Sequence, residues 1–216
     1  VGRDWLEQEK ILPQLKASSY DVEAVIKRED KNLALFQKYP KLIIPGFTDH
    51  KGTYDYTFGE SFFFNGGSGV LDIGTGDAGV FMERCLTQSF MPPRVGMDII
   101  KPKVNCGWLP VQGSGDEIED KFSNISFDHV QCAETLEHVD EDLGTEMARQ
   151  MLKVAKHTVL ITSCGLSHHL GQLNMDAVNK NEFLEYKGQP NIESLMDLGY
   201  TVRLVDNYQI LAWVIK

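Results

Sequence analysis

At 216 residues with 42% hydrophobic side chains, the chain is long enough for one domain with a substantial core, and no apolar run approaches the roughly 20 residues that cross a bilayer. Asp and Glu number 31 against 21 Lys and Arg, so a formal charge of −10 and a pI near 5.0 argue against duplex nucleic acid as a partner. Cys85, Cys106, Cys132 and Cys164 lie far apart without a CxxC pair, and the charged stretch Val1 to Lys10 has no signal-peptide core, which together read as a cytoplasmic chain with reduced thiols.

Apolar positions at helical spacing, from Leu6, Ile11 and Leu15 to Val22, Val25, Ile26, Leu33 and Phe36, predict two helices between Asp4 and Tyr39, the first ended or kinked at Pro13. Pro40 and Pro45 bracket a short apolar piece, Leu42 to Ile44. The rings of Tyr54, Tyr56, Phe58, Phe62, Phe63 and Phe64 follow, either packing a cap onto a sheet edge or covering a ligand. Residues 1–66 are thus read as a helical and aromatic cap, and residues 67–216 as the catalytic domain of one compact unit.

From Gly69 onward strands alternate with helices, the pattern of a parallel sheet covered on both faces. The predicted strands are Val70 to Ile73, Arg94 to Asp98, Gly107 to Gln112, Phe127 to Cys132 and Thr158 to Thr162. Helices are predicted at Ala78 to Ser89, Gly115 to Lys121 and Asp142 to Ala155. Tyr200 to Val205 and Gln209 to Ile215, separated by a tight Asp206-Asn207 turn, predict a closing antiparallel hairpin. The expectation is an α/β fold: a Rossmann-like, mostly parallel seven-stranded sheet with helices on both faces.

The strongest local signal runs from Val70 to Gly79, an apolar strand entering a glycine-rich turn at Gly74, Thr75 and Gly76 before a helix. Glycines allow close backbone approach to a ligand, and a helix start offers free N–H groups. Such a turn also suits a dinucleotide, which keeps an NAD-dependent oxidoreductase as the reading from a different class. Asp72 separates the two: a carboxylate there repels a pyrophosphate and attracts the ammonium and sulfonium of S-adenosylmethionine. Asp98, closing the second strand, can accept from both ribose hydroxyls of either cofactor.

These pieces, in this order, resemble the class I S-adenosylmethionine-dependent methyltransferases over about Gly69 to Lys216. The glycine motif with its leading acid matches Asp72, Gly74, Thr75 and Gly76, and the ribose acid matches Asp98 with Ile99 beside it. Gly113 to Glu117 matches the adenine-side segment, with Asp116 and Glu117 as its implied contacts. Phe127 to Val139 is similar to the family's fourth-strand motif, which places Cys132 and Ala133 beside the methyl group. In one departure, Ala78 stands where the family usually has a third glycine, with Gly79 one step later.

The resemblance implies S-adenosylmethionine as cofactor and methyl transfer as the reaction, with a small-molecule acceptor taken at oxygen or nitrogen. An in-line displacement gains much of its rate from positioning, and a hydroxyl acceptor also benefits from a base. Candidates for catalysis are Glu134, His138 and His168. Glu134, Glu137 and His138 form a Glu-x-x-Glu-His cluster, whose three-residue interval predicts both carboxylates on one helical face. With His169 as a further ligand, the cluster is a candidate site for Mg2+ or another divalent metal, similar to the motif of metal-assisted family branches; an RNA or protein acceptor is the alternative tied to it. The polar stretch from Ser163 to Asn181 lies at a strand's carboxyl end and is expected to shape the acceptor pocket.

Overall fold

The computed structural model describes residues 22–38, 68–76, 91–100, 109–165, 185–205 and 209–216. They contain helix α1 (Val22–Lys38), then β1 (Ser68–Ile73), β2 (Met91–Asp98) and β3 (Leu109–Gln112). After these come α2 (Ile118–Phe122), β4 (Phe127–Ala133), α3 (Glu141–Val154), β5 (Ala155–Ser163), α4 (Ile192–Asp197), β6 (Thr201–Val205) and β7 (Gln209–Ile215). The predicted helix at Ala78 to Ser89, the first N-terminal helix, the Leu42 to Ile44 piece, the aromatic stretch and the Asp206-Asn207 turn lie outside the described residues.

The seven strands form one sheet in the order β3-β2-β1-β4-β5-β7-β6. The first five pair in parallel, and β7 runs antiparallel to both β5 and β6. The expected mostly parallel sheet with its closing hairpin is therefore present. Register sets the two faces: Leu71 pairs with Val95 and Val130, whereas Asp72 pairs with Gly96 and Gln131. One face carries Leu71, Ile73, Met97, Val130, Cys132 and Ile161 into a core with Ile118, Phe122, Met147, Met151, Ile192 and Leu195. These last six belong to α2, α3 and α4, so the helices bury their apolar stripes on this face. The opposite face is polar at its centre, where Asp72, His129, Gln131, Thr158 and Thr162 are all buried.

α4 was not foreseen, because a six-residue helix shows too little of the 3.6-residue period to be read. It starts at Asn191, whose side chain accepts from the backbone N–H groups of Glu193 and Ser194. α3 begins with Glu141 and Asp142 and ends with Lys153, charges that complement the helix dipole at both ends.

One buried side chain links α3 to the wall of the site. Gln150 accepts from Glu119 N at 2.7 Å and donates to the Asp116 carbonyl at 2.8 Å, and so holds the 3-10 turn at Gly115–Glu117 and the start of α2 against α3. Replacing Gln150 by alanine strands both backbone groups and is expected to lower stability by about 2–3 kcal/mol, read from urea unfolding. An unchanged midpoint would show that the turn holds itself.

Candidate active site

Chain order places β2 and β3 on one side of β1, and β4 and β5 on the other. The strand order reverses at β1, and the carboxyl ends of the strands around it are where an open α/β sheet forms its crevice. A cleft of about 640 Å3 occupies this point.

Its first wall is the turn after β1. Gly74 and Gly76 adopt φ of +74° and +65°, the left-handed region that side chains disfavour. A Cβ on Gly74 would stand 2.0 Å from Thr135 Oγ1, so only glycine lets the loops after β1 and β4 come this close. The N–H groups of Gly74 and Thr75 both donate to the Met97 carbonyl, at 2.8 and 3.3 Å, tying the turn to β2. Asp72 is buried and accepts the Thr75 hydroxyl at 2.8 Å; it braces the turn from within the sheet and does not line the cleft.

Asp98 lines the cleft at the end of β2. Its Oδ2 accepts from Gly76 N at 2.8 Å and its Oδ1 from Ile100 N at 3.1 Å. Each oxygen keeps further acceptor capacity. Ile99 and Ile100 stand next to it with 42% and 47% of their surface exposed, an apolar ledge at the cleft rim.

The next wall is backbone at Gly113, Ser114 and Gly115. The carboxylates expected here do not line the cleft. Asp116 is exposed, and the Glu117 side chain turns back to accept from Ser114 N at 2.8 Å in a capping box. Strand alternation removes another expected contact, since Cys132 is fully buried on the helix-covered face; Ala133, on the opposite face, is also absent from the lining. Burial pushes the Cys132 thiol well above its ordinary range.

The loop after β4 supplies the ionisable groups. Glu134 lines the cleft and is the one non-glycine with positive φ among the described residues, at +51°. This conformation costs on the order of 1 kcal/mol and is anchored by Glu134 N donating to the Thr162 carbonyl at 2.9 Å. The short helix expected to align Glu134 with Glu137 is absent: Glu134 lies outside any helix, and a 3-10 turn covers only Leu136–His138.

Glu137 points inward and is completely buried. It accepts from Ser163 Oγ at 2.9 Å and from Cys164 Sγ at 3.3 Å. Burial, and then the charge of Glu134, raise its carboxyl well above the usual carboxylate range. Ligand atoms of Glu134, Glu137 and Cys164 lie within 4.8 Å of one another. His138 is not in that group, and His168 and His169 lie outside the described residues.

His138 lines the cleft, with its Nδ1 3.1 Å from the Glu185 carbonyl. A carbonyl oxygen only accepts, so Nδ1 carries the hydrogen and the neutral ring keeps its lone pair on Nε2. The segment that receives this bond, residues 185–187, also donates Lys187 N to the Glu137 carbonyl at 2.7 Å, and both Glu185 and Lys187 line the cleft. Neither residue was singled out from the sequence. They sit in an irregular stretch, and the signal that brings them here is a set of long-range backbone bonds.

No protein-family model and no curated protein matches the sequence. Solved structures do. The PH0226 protein of Pyrococcus horikoshii OT3 superposes with a TM-score of 0.56 at 16% identity, over 73% of this chain and 86% of that one. Magnesium protoporphyrin IX methyltransferase of Synechocystis PCC 6803, solved with bound S-adenosylhomocysteine, superposes with a TM-score of 0.51 at 13% identity, over 88% of this chain and 98% of that one. At these identities the likeness is one of fold, and the fold is Rossmann-like, as in that methyltransferase.

Proposed function

We propose that this chain, which has the fold of the Rossmann-like methyltransferases, transfers a methyl group from S-adenosylmethionine to an oxygen or nitrogen atom of a small-molecule acceptor. The observation that carries this reading is the cleft at the switch point of the sheet. Asp98, Gly74 and Gly76 line one side of it, and Glu134 and His138 the other.

S-adenosylmethionine supplies an activated methyl group on a cationic sulfonium. The chain's own residues fit it. Asp98 retains one acceptor position per oxygen for the two ribose hydroxyls, and Ile99 and Ile100 offer apolar surface to the adenine. A Cβ on Gly113 would meet Lys121 Cε at 2.2 Å and one on Gly115 would meet Met147 Sδ at 2.3 Å, so the two glycines let that wall pack closely. Glu134 presents a carboxylate that favours positive charge in the cleft. His138, with its lone pair on Nε2, takes the proton that the acceptor atom loses as it is methylated. Val139, Leu143 and Met147 give the cleft an apolar wall that limits water.

Calorimetric titration with S-adenosylmethionine, S-adenosylhomocysteine and NAD tests the reading. Saturable binding of both sulfur compounds with NAD silent supports it. Binding of NAD alone overturns it in favour of an NAD-dependent oxidoreductase. Replacing His138 by glutamine is expected to leave S-adenosylhomocysteine affinity unchanged and to lower methyl transfer; equal turnover in wild type and variant removes the base assignment.

A second reading, a divalent cation such as Mg2+ assisting methyl transfer to RNA or protein, is favoured by the convergence of Glu134, Glu137 and Cys164. The set is mixed, since two carboxylates suit a hard cation and a thiol a soft one. Both Glu137 oxygens, moreover, already accept from Ser163 and Cys164. Equal turnover with and without a chelator sinks this reading.

A further inference from the structure

A second cavity, of about 570 Å3, adjoins the cleft and shares Glu185 and Lys187 with it. α1 contributes Lys27, Arg28 and Lys31 to its wall. Two of its four cations are matched across the cavity, Lys31 to Glu141 at 3.6 Å and Lys187 to Asp140 at 3.2 Å. Lys27 is exposed and forms no ion pair with the described residues.

Arg28 is held at one corner only. Its Nη1 donates to the Val139 carbonyl at 3.1 Å and the Lys187 carbonyl at 3.3 Å, which pins that corner between the loop after β4 and the 185–187 segment and leaves the rest of the group able to pivot about it. Its Nε and Nη2 are shielded from water and meet no acceptor among the described residues. Donors buried without acceptors are costly, and the cost is greater for a charged group. Burial correspondingly lowers the Arg28 pKa, against the opposing pull of Glu141, Tyr186, Asp140 and Glu137. The Nε and Nη2 hydrogens point from one edge of the plane in parallel, at the spacing of the two oxygens of a carboxylate.

We infer that this second cavity is a carboxylate-binding subsite, in which the Nε–Nη2 edge of Arg28 and the ammonium of Lys27 hold a carboxylate carried by the methyl acceptor. The assignment to the acceptor rests on the methyltransferase reading; the binding of a carboxylate does not. Asp140, Glu141 and Glu185 also line the cavity, so a singly charged planar anion fits better than a phosphate dianion. An acceptor anchored here extends past Glu185 and Lys187 toward His138. Because the Arg28 edge is covered by protein, a bound carboxylate is expected to move the guanidinium, and the Nε–H group reports that movement.

The test is an NMR titration of protein carrying 15N-arginine with benzoate, following the Arg28 Nε–H resonance, assigned by its absence in Arg28→Gln. A saturable shift is expected, weakened about threefold in Lys27→Gln, a surface change that leaves the fold intact. Inorganic phosphate is expected to bind more weakly than benzoate. An unmoved resonance, equal benzoate affinity in Lys27→Gln, or phosphate binding as tight as benzoate each overturns the subsite. S-adenosylhomocysteine is titrated into the same sample. Its failure to bind removes the methyltransferase reading and leaves the benzoate result to be judged alone, while its binding beside an unmoved Arg28 resonance removes only the subsite.

Discussion

Replacing Asp98 by alanine is expected to weaken S-adenosylhomocysteine binding by about 2–4 kcal/mol, a loss of roughly thirty- to a thousandfold. Two contributions add up to this figure. The carboxylate's bonds to two ribose hydroxyls are charge-assisted and are lost together. Gly76 N and Ile100 N, which donate to the two Asp98 oxygens, also lose their acceptor, so the turn after β1 and the apolar ledge after β2 are released from one another. Asp98→Asn separates the two contributions: it keeps one acceptor oxygen, replaces the other by a donor and removes the charge. Calorimetry on both variants, with urea unfolding as a check on the fold, measures the effect. Wild-type affinity in Asp98→Ala would mean that the cofactor lies elsewhere.

A methyl group on Gly74 is expected to lower stability by about 2–4 kcal/mol. Alanine at φ +74° is strained in itself, and its Cβ would meet Thr135 Oγ1 at 2.0 Å, Cγ2 at 2.4 Å and Cβ at 2.7 Å. The last of these is close to the backbone and cannot swing aside. Gly76 is the control, since its φ is also positive but a Cβ there meets nothing within 4 Å; Gly76→Ala is expected to cost only about 1–2 kcal/mol. The difference between the two variants in urea unfolding isolates the contact between the loops after β1 and β4. Equal losses would show that backbone conformation alone accounts for both.

The sheet was legible because its signals are local. Apolar runs such as Val70 to Ile73 and the Gln209 to Ile215 strand declare themselves within a few residues, and the predicted ends fall close to those observed. The site was legible only in part. Gly74, Gly76, Asp98, Ile99, Glu134 and His138 line the cleft as their spacing from strand ends suggests. Asp72, Thr75, Asp116, Glu117, Cys132 and Ala133 do not, because a motif gives position along the chain but not the direction of a side chain. One step of strand alternation is enough to send Cys132 into the core. Arg28, Glu185 and Lys187 carry no local signal; Arg28 reaches Lys187 across 159 positions of sequence.

β7 follows β6 along the chain but does not follow it across the sheet: it lies between β5 and β6. During synthesis β6 leaves the ribosome with no neighbour to pair with, since its one partner has yet to be made. Whichever pairing of β7 forms first, β6 can join the sheet only through it. The sheet therefore stays incomplete until β7 has been made, and a nascent chain with the β5 edge still open is the form most exposed to mispairing.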